Sequence, residues 1–157
     1  DRVASRGLGD VYKRQTMREY LFPIKKITSK FDSIQTKDDL QSFVHERSAH
    51  VTQTTLYGYL KTRIGTRFRL MIEDEKYSES VNIAKWNIYI SALSDLTLYV
   101  FSYLIDQKNL KQNDAKEVFI NIINKELKNG LDEKLYDKAI KEFTLRLHTI
   151  DWNKFYL

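Results

Sequence analysis

The 157-residue chain has no cysteine, a single proline and only five glycines. Without a thiol there is no disulfide, no thiolate metal ligand and no cysteine nucleophile, and a reducing compartment is permitted. Only Gly58, Gly65 and Gly130 lie beyond residue 15, with Pro23 the one proline. Such poverty of turn formers points to long helices and few tight loops. None of those three glycines neighbours a serine, so a G-x-S-x-G nucleophile elbow is missing, and so is a phosphate-cradling glycine loop. No internal repeat or low-complexity tract interrupts the chain. After Met17 the apolar stretch is short and broken by Pro23, which does not make a signal peptide. The expected location is cytoplasmic.

The beginning of the chain reads differently from the rest. Ser5 to Gln15 is SRGLGDVYKRQ, and it back-translates without mismatch into a string that resembles a sequencing-library adapter joined to a transposase end. Asp1-Arg2 fits the close of another copy. Residues 1–16 are therefore expected to be adapter-derived, disordered and outside the protein; the alternative is a basic arm that binds nucleic acid. The same resemblance implies a metagenomic or draft-assembly origin. Setting residues 1–16 aside leaves 22 basic and 19 acidic residues, a net charge of +3 in place of +5. A mixed surface of that kind gives little warrant for general nucleic-acid binding.

The remaining pattern predicts an all-α bundle of about four main helices. Residues 17–35 form an N-terminal arm with Leu21, Phe22 and Ile24 as an anchor, and 36–157 a single helical domain. The first helix starts at Thr36, a capping residue followed by Asp38 and Asp39. Leu40, Phe43, Val44, Val51, Leu56, Leu60 and Ile64 recur along it, and Gly65 stops it. Gly58 inside it marks a break or a close helix contact. After an acidic connection at 73–75, a long central helix runs from Ser78 or Ser80 to Ile105 and is apolar almost all round, the signature of a largely buried helix or a membrane span. Ile88 to Ile105 carries one charge, Asp95, which would cost about 2.5–3.5 kcal/mol at a bilayer centre. Burial is the expected outcome. The abundant β-branched and aromatic residues leave β-structure as the lesser rival. Asn113-Asp114 caps a third helix with Ala115, Val118, Phe119, Ile122, Ile123 and Leu127 on one face, closed by Asn129-Gly130. Asp132 caps the last, with Leu135, Tyr136, Ala139, Ile140, Phe143 and Leu147 inward. The short link forces this pair antiparallel, and Trp152, Phe155 and Tyr156 pack back on the bundle.

Three clusters invite a functional reading. In LYGYLKTRIGTRFR, Leu56 to Arg69, the cations Lys61, Arg63, Arg67 and Arg69 interleave with Tyr57, Tyr59 and Phe68. That mixture suits phosphate or stacked bases, and equally a helix C-terminus where the dipole favours cations. Asp95 is costly inside an apolar helix unless paired, with Arg63, Arg67 and Lys85 as the available partners. Tyr57, Lys61, Arg63, Arg67 and Asp95 together form the candidate anion or ligand site. Glu46 and His50, with His45 adjacent, have a helical metal-ligand spacing, but no matching acids stand on other helices, so neither a metal nor a cofactor is expected.

Thr54 to Tyr99 also resembles a family of small alphaproteobacterial proteins with a similar LYGYLKTR-x-GTR, an acidic ED or EDD, INIAKW and LSDLT. FVHERSAHVTQ resembles the same family, and Leu145 to Trp152 more weakly. The family is uncharacterised and sometimes labelled esterase; that label brings no catalytic residue onto this sequence. The resemblance implies that the native chain continues past Trp152 with another helix. The expected function is a non-catalytic interaction or adaptor domain whose partner is another protein or a second copy. The alternatives are a hydrolase using Asp95 with Arg63 and Arg67, or an RNA, phosphate or anionic-lipid binder using the 56–69 segment.

Overall fold

The computed structural model describes residues 34–67, 74–108 and 110–152. Among these residues the fold is all-α, with four long helices: α1 (Lys37–Ile64), α2 (Glu75–Lys108), α3 (Gln112–Leu127) and α4 (Glu133–Thr149). A one-turn 3₁₀ segment, Gly65–Arg67, follows α1. The expected arm anchor (Leu21, Phe22, Ile24), the adapter-like residues 1–16, Phe68, Arg69, Phe155 and Tyr156 lie outside the described residues.

Each helix end has a local cause. Thr36 and Asp39 form a reciprocal box: the Asp39 N–H donates to Thr36 Oγ1 at 3.1 Å, and the Thr36 N–H donates to Asp39 Oδ2 at 2.9 Å. At the other end Gly65 takes φ 59°, where side chains are strained. The long central helix starts three residues before Ser78, because Asp74 Oδ1 accepts the Tyr77 N–H at 3.1 Å. The acidic run read as a connection thus supplies the cap. Lys111, not Asn113 or Asp114, precedes α3; Asp114 reaches back to accept the Lys111 N–H at 2.8 Å. Gly130 adopts φ 94°, and Leu131 closes the turn by donating to the Glu126 carbonyl at 3.1 Å. Asp132 accepts from Lys134 and Leu135 and opens α4.

Two of these caps predict an acid response. The Thr36 side chain and the Gln35 and Thr36 N–H groups hold the Asp39 carboxyl below its usual range. Lys37 and then the Lys111 N–H do the same for Asp114. A depressed folded value means stability is present above the unfolded value of about 3.9 and is lost as pH falls through the folded one. The urea midpoint is expected to fall as pH drops below about 3.9. An Asp39→Asn/Asp114→Asn variant should show a shallower drop.

Cross-contacts give the packing. Lys37 meets Asp114 and His45 meets Glu126, so α1 and α3 run parallel. Asn124 meets Tyr136 and Phe119 stacks on Phe143, so α3 and α4 run antiparallel as the short link requires. The central helix α2 touches the other three. Tyr89, Leu93, Thr97, Leu98 and Phe101 face the core on it, joined by Phe119, Ile123 and Phe143. Trp152 packs against the same core.

The buried row of α1 is Leu40, Val44, Ser48, Thr52, Leu56 and Leu60, a four-residue spacing along one ridge. Two of its members are polar, but Ser48 Oγ donates to the Val44 carbonyl and Thr52 Oγ1 to the Ser48 carbonyl, both at 2.8 Å. Their hydroxyls are satisfied within the helix. Val51, expected inside, is outside and about half exposed.

Gly58 causes neither a break nor a close approach: α1 runs straight through it, and a Cβ there would meet nothing within 4 Å. Gly58→Ala should therefore raise stability by about 0.5–1 kcal/mol, read from the shift in urea midpoint.

Candidate functional site

The residues singled out from the sequence do not come together. Tyr57 packs partly buried against the core, while Lys61, Arg63 and Arg67 are exposed. Lys61 and Arg63, two positions apart, point about 160° away from each other on a helix of 3.6 residues per turn. The Arg63 guanidinium lies over the Tyr59 ring at 5.8 Å, one turn back on its own helix. Asp95 is elsewhere, midway along α2, where it borders a groove shared with Val51.

The expected partners of Asp95 are corrected too. Its carboxylate is exposed and accepts from Arg146 Nη2 at 2.6 Å, while Arg146 Nη1 donates to Ser94 Oγ at 2.7 Å. One arginine of α4 thus clamps adjacent residues of α2. Lys85 instead lies over the Trp86 ring at 4.3 Å. Asp95 avoids the cost of burial by facing outward, which an almost uniformly apolar stretch did not signal.

The outward side of α2 is itself distinctive. Ile83, Asn87, Ser91, Asp95, Tyr99 and Tyr103 are all exposed and four residues apart, forming one continuous row. Ile83 is 55%, Tyr99 55% and Tyr103 52% exposed, though this is the most apolar helix. Beside the row, Val51 of α1 and Asn87, Ile88, Ser91, Ala92 and Asp95 of α2 line a shallow groove of about 400 Å³. The small side chains Ser91 and Ala92 leave the space.

A second, buried arrangement joins α1, α2 and α3. The Glu126 side chain is only 3% exposed and falls on the inward face of α3 with Ile122 and Ile123. Its Oε2 accepts from Asn129 Nδ2 at 3.0 Å, and its Oε1 lies 3.4 Å from His45 Nδ1. The same nitrogen is 2.7 Å from Tyr89 Oη. A proton on Nδ1 suits both contacts, since an unprotonated nitrogen would set its lone pair against the carboxylate. Burial, and then the Glu126 charge, push the Tyr89 phenol far above its usual range. Burial lowers the Lys85 ammonium, and the Glu126 charge opposes that shift. A cavity of about 190 Å³ opens over Glu126, lined by Gln41, Ser42, His45, Ile122, Lys125, Glu126 and Asn129.

Of this group only His45 drew notice in the sequence, as a neighbour of Glu46 and His50. The signal for Glu126 was its spacing: three beyond Ile123 and four beyond Ile122, it occupies a core position of the stripe that Leu127 seemed to continue. Among the described residues, no three histidines or acids group as metal ligands. Ser42 shares the cavity with His45, but no hydrogen bond joins them among the described contacts, and Ser42 sits inside α1, where backbone N–H groups serve the helix and do not form an oxyanion hole.

No family model matches the chain, and no curated protein or solved structure shows significant similarity to it.

Proposed function

We propose that this is a non-catalytic, cytoplasmic interaction domain that holds a protein partner on the outer face of α2. The observation that carries the reading is the exposed row from Ile83 to Tyr103. Ile83, Tyr99 and Tyr103 stand half-exposed along one helix with the polar Asn87, Ser91 and Asp95 between them, beside a groove floored by Val51, Ile88 and Ala92, and such apolar side chains suit a contact with another protein surface. A groove between two helices accepts an amphipathic helix, whose anchors recur with the same spacing as the row. Tyr99 and Tyr103 are the anchors expected to matter most, because aromatic side chains carry much of the energy of protein contacts.

Among the described residues, one helix, Glu75–Ile105, is long and apolar enough to cross a membrane. Its contacts with three other helices support a place at the centre of the bundle instead. The hydrolase alternative would require Asp95 beside Arg63 or Arg67; its pairing with Arg146 leaves it without that support. Nucleic-acid or anionic-lipid binding would require the 56–69 cations on one face, and the divergence of Lys61 and Arg63 weighs against it.

Ser91→Arg fills and charges the groove without touching the core. Captured from the cells that encode it, the unsubstituted chain should retain a partner that Ser91→Arg and Tyr99→Glu each lose by roughly tenfold or more, the scale of a central contact. Both variants should keep the urea midpoint within about 0.5 kcal/mol of the original. Equal retention by all three chains would refute the reading.

A further inference from the structure

The buried junction carries an inference independent of the α2 face. Glu126 is a carboxylate taken out of water, and an ionised group so placed costs several kcal/mol unless its oxygens are satisfied. A carboxylate offers about four acceptor positions. Asn129 fills one at 3.0 Å. The His45 contact at 3.4 Å is well beyond the 2.7–2.9 Å of a charge-assisted N–H···O bond. Among the described contacts Asn129 is thus its one close donor, with the Lys85 ammonium and the Tyr89 phenol near enough to feel its charge, and the carboxylate lines a cavity of about 190 Å³.

What fits is set by size and by the other walls. At about 30 Å³ for each water, the space equals roughly six waters, and a dry cavity near 150 Å³ suffices for a six-membered ring. Six of the seven lining residues are polar or charged, so the occupant is polar. An ammonium group brings three donors and the opposite charge to Glu126. Lys125 also lines the cavity and would repel a simple cation, but it would attract an anionic far end. We propose that the cavity between α1 and α3 binds a small zwitterionic amino acid, its ammonium on Glu126 and its carboxylate toward Lys125.

The test is a titration of the full, ¹⁵N-labelled chain with β-alanine, using ethylammonium and propionate as single-charge controls. β-Alanine should give saturable shifts at the Asn129 and Gln41 side-chain amides, with ethylammonium weaker and propionate silent. Glu126→Gln should weaken β-alanine roughly tenfold or more, the scale of a charged hydrogen bond. Because that change touches a buried group, Ser42→Trp at the exposed rim serves as a second variant that blocks entry and leaves the junction intact; it too should abolish the shifts. Absence of saturable shifts with β-alanine, persistence of them in Ser42→Trp, or equal binding of either control overturns the proposal.

Discussion

Phe143→Ala is expected to cost about 3–5 kcal/mol, the range for emptying an aromatic site in a packed core. Phe143 is 1% exposed and stacks on Phe119 with ring centroids 3.9 Å apart and planes 7° from parallel. It packs α4 against α3, alongside the Asn124–Tyr136 contact. The loss should reach beyond the cavity, because Arg146, less than one turn further along α4, holds Ser94 and Asp95 of α2. Urea unfolding measures the cost. Phe143→Leu, which refills much of the space, should recover a large part of it. If alanine cost under about 1 kcal/mol, α4 would not be held by this core.

The second large effect concerns Glu126. His45→Leu with Asn129→Ala removes the two described side-chain contacts of the carboxylate and leaves the charge buried. Removing partners from a buried ion typically costs about 3–5 kcal/mol, and the long His45 contact places this case near the lower end. Adding Glu126→Leu to that pair should return most of the stability, because an apolar side chain in a packed site needs no donor. The three chains compared by urea midpoint test the asymmetry. If Glu126→Leu deepened the loss instead, the carboxylate would be a net stabiliser of the bundle and not an under-satisfied group.

The fold was legible where side chains act on their own backbone. Thr36, Gly65, the Asn129-Gly130 pair and Asp132 each announce a helix end through a hydrogen bond or a positive φ that depends on a few neighbouring residues. Asp74 was as good a cap but sat in an acidic run that looked like a loop. The inward faces of α3 and α4 were legible because their apolar spacing is regular. In α1 the spacing misled: Ser48 and Thr52 occupy the buried ridge because their hydroxyls return to their own helix, and Val51, one position off, was left outside.

The sites were much less legible, since each depends on how helices are placed against one another. Asp95 finds Arg146 some fifty residues away only after α4 docks. The His45, Tyr89 and Glu126 junction assembles from three helices, none of which carries a motif by itself. The basic-aromatic segment stood out in one dimension for a reason that vanishes in three, because neighbours in sequence diverge around a helix.

Photo-crosslinking reads the contact at the α2 groove in place. A photoreactive phenylalanine placed at Ser91, in the groove, is compared with the same group at Leu145, an exposed position on α4, in the cells that encode the chain. A discrete crosslinked protein is expected from position 91 and none of it from position 145. No product from position 91, or the same product from both positions, would contradict it.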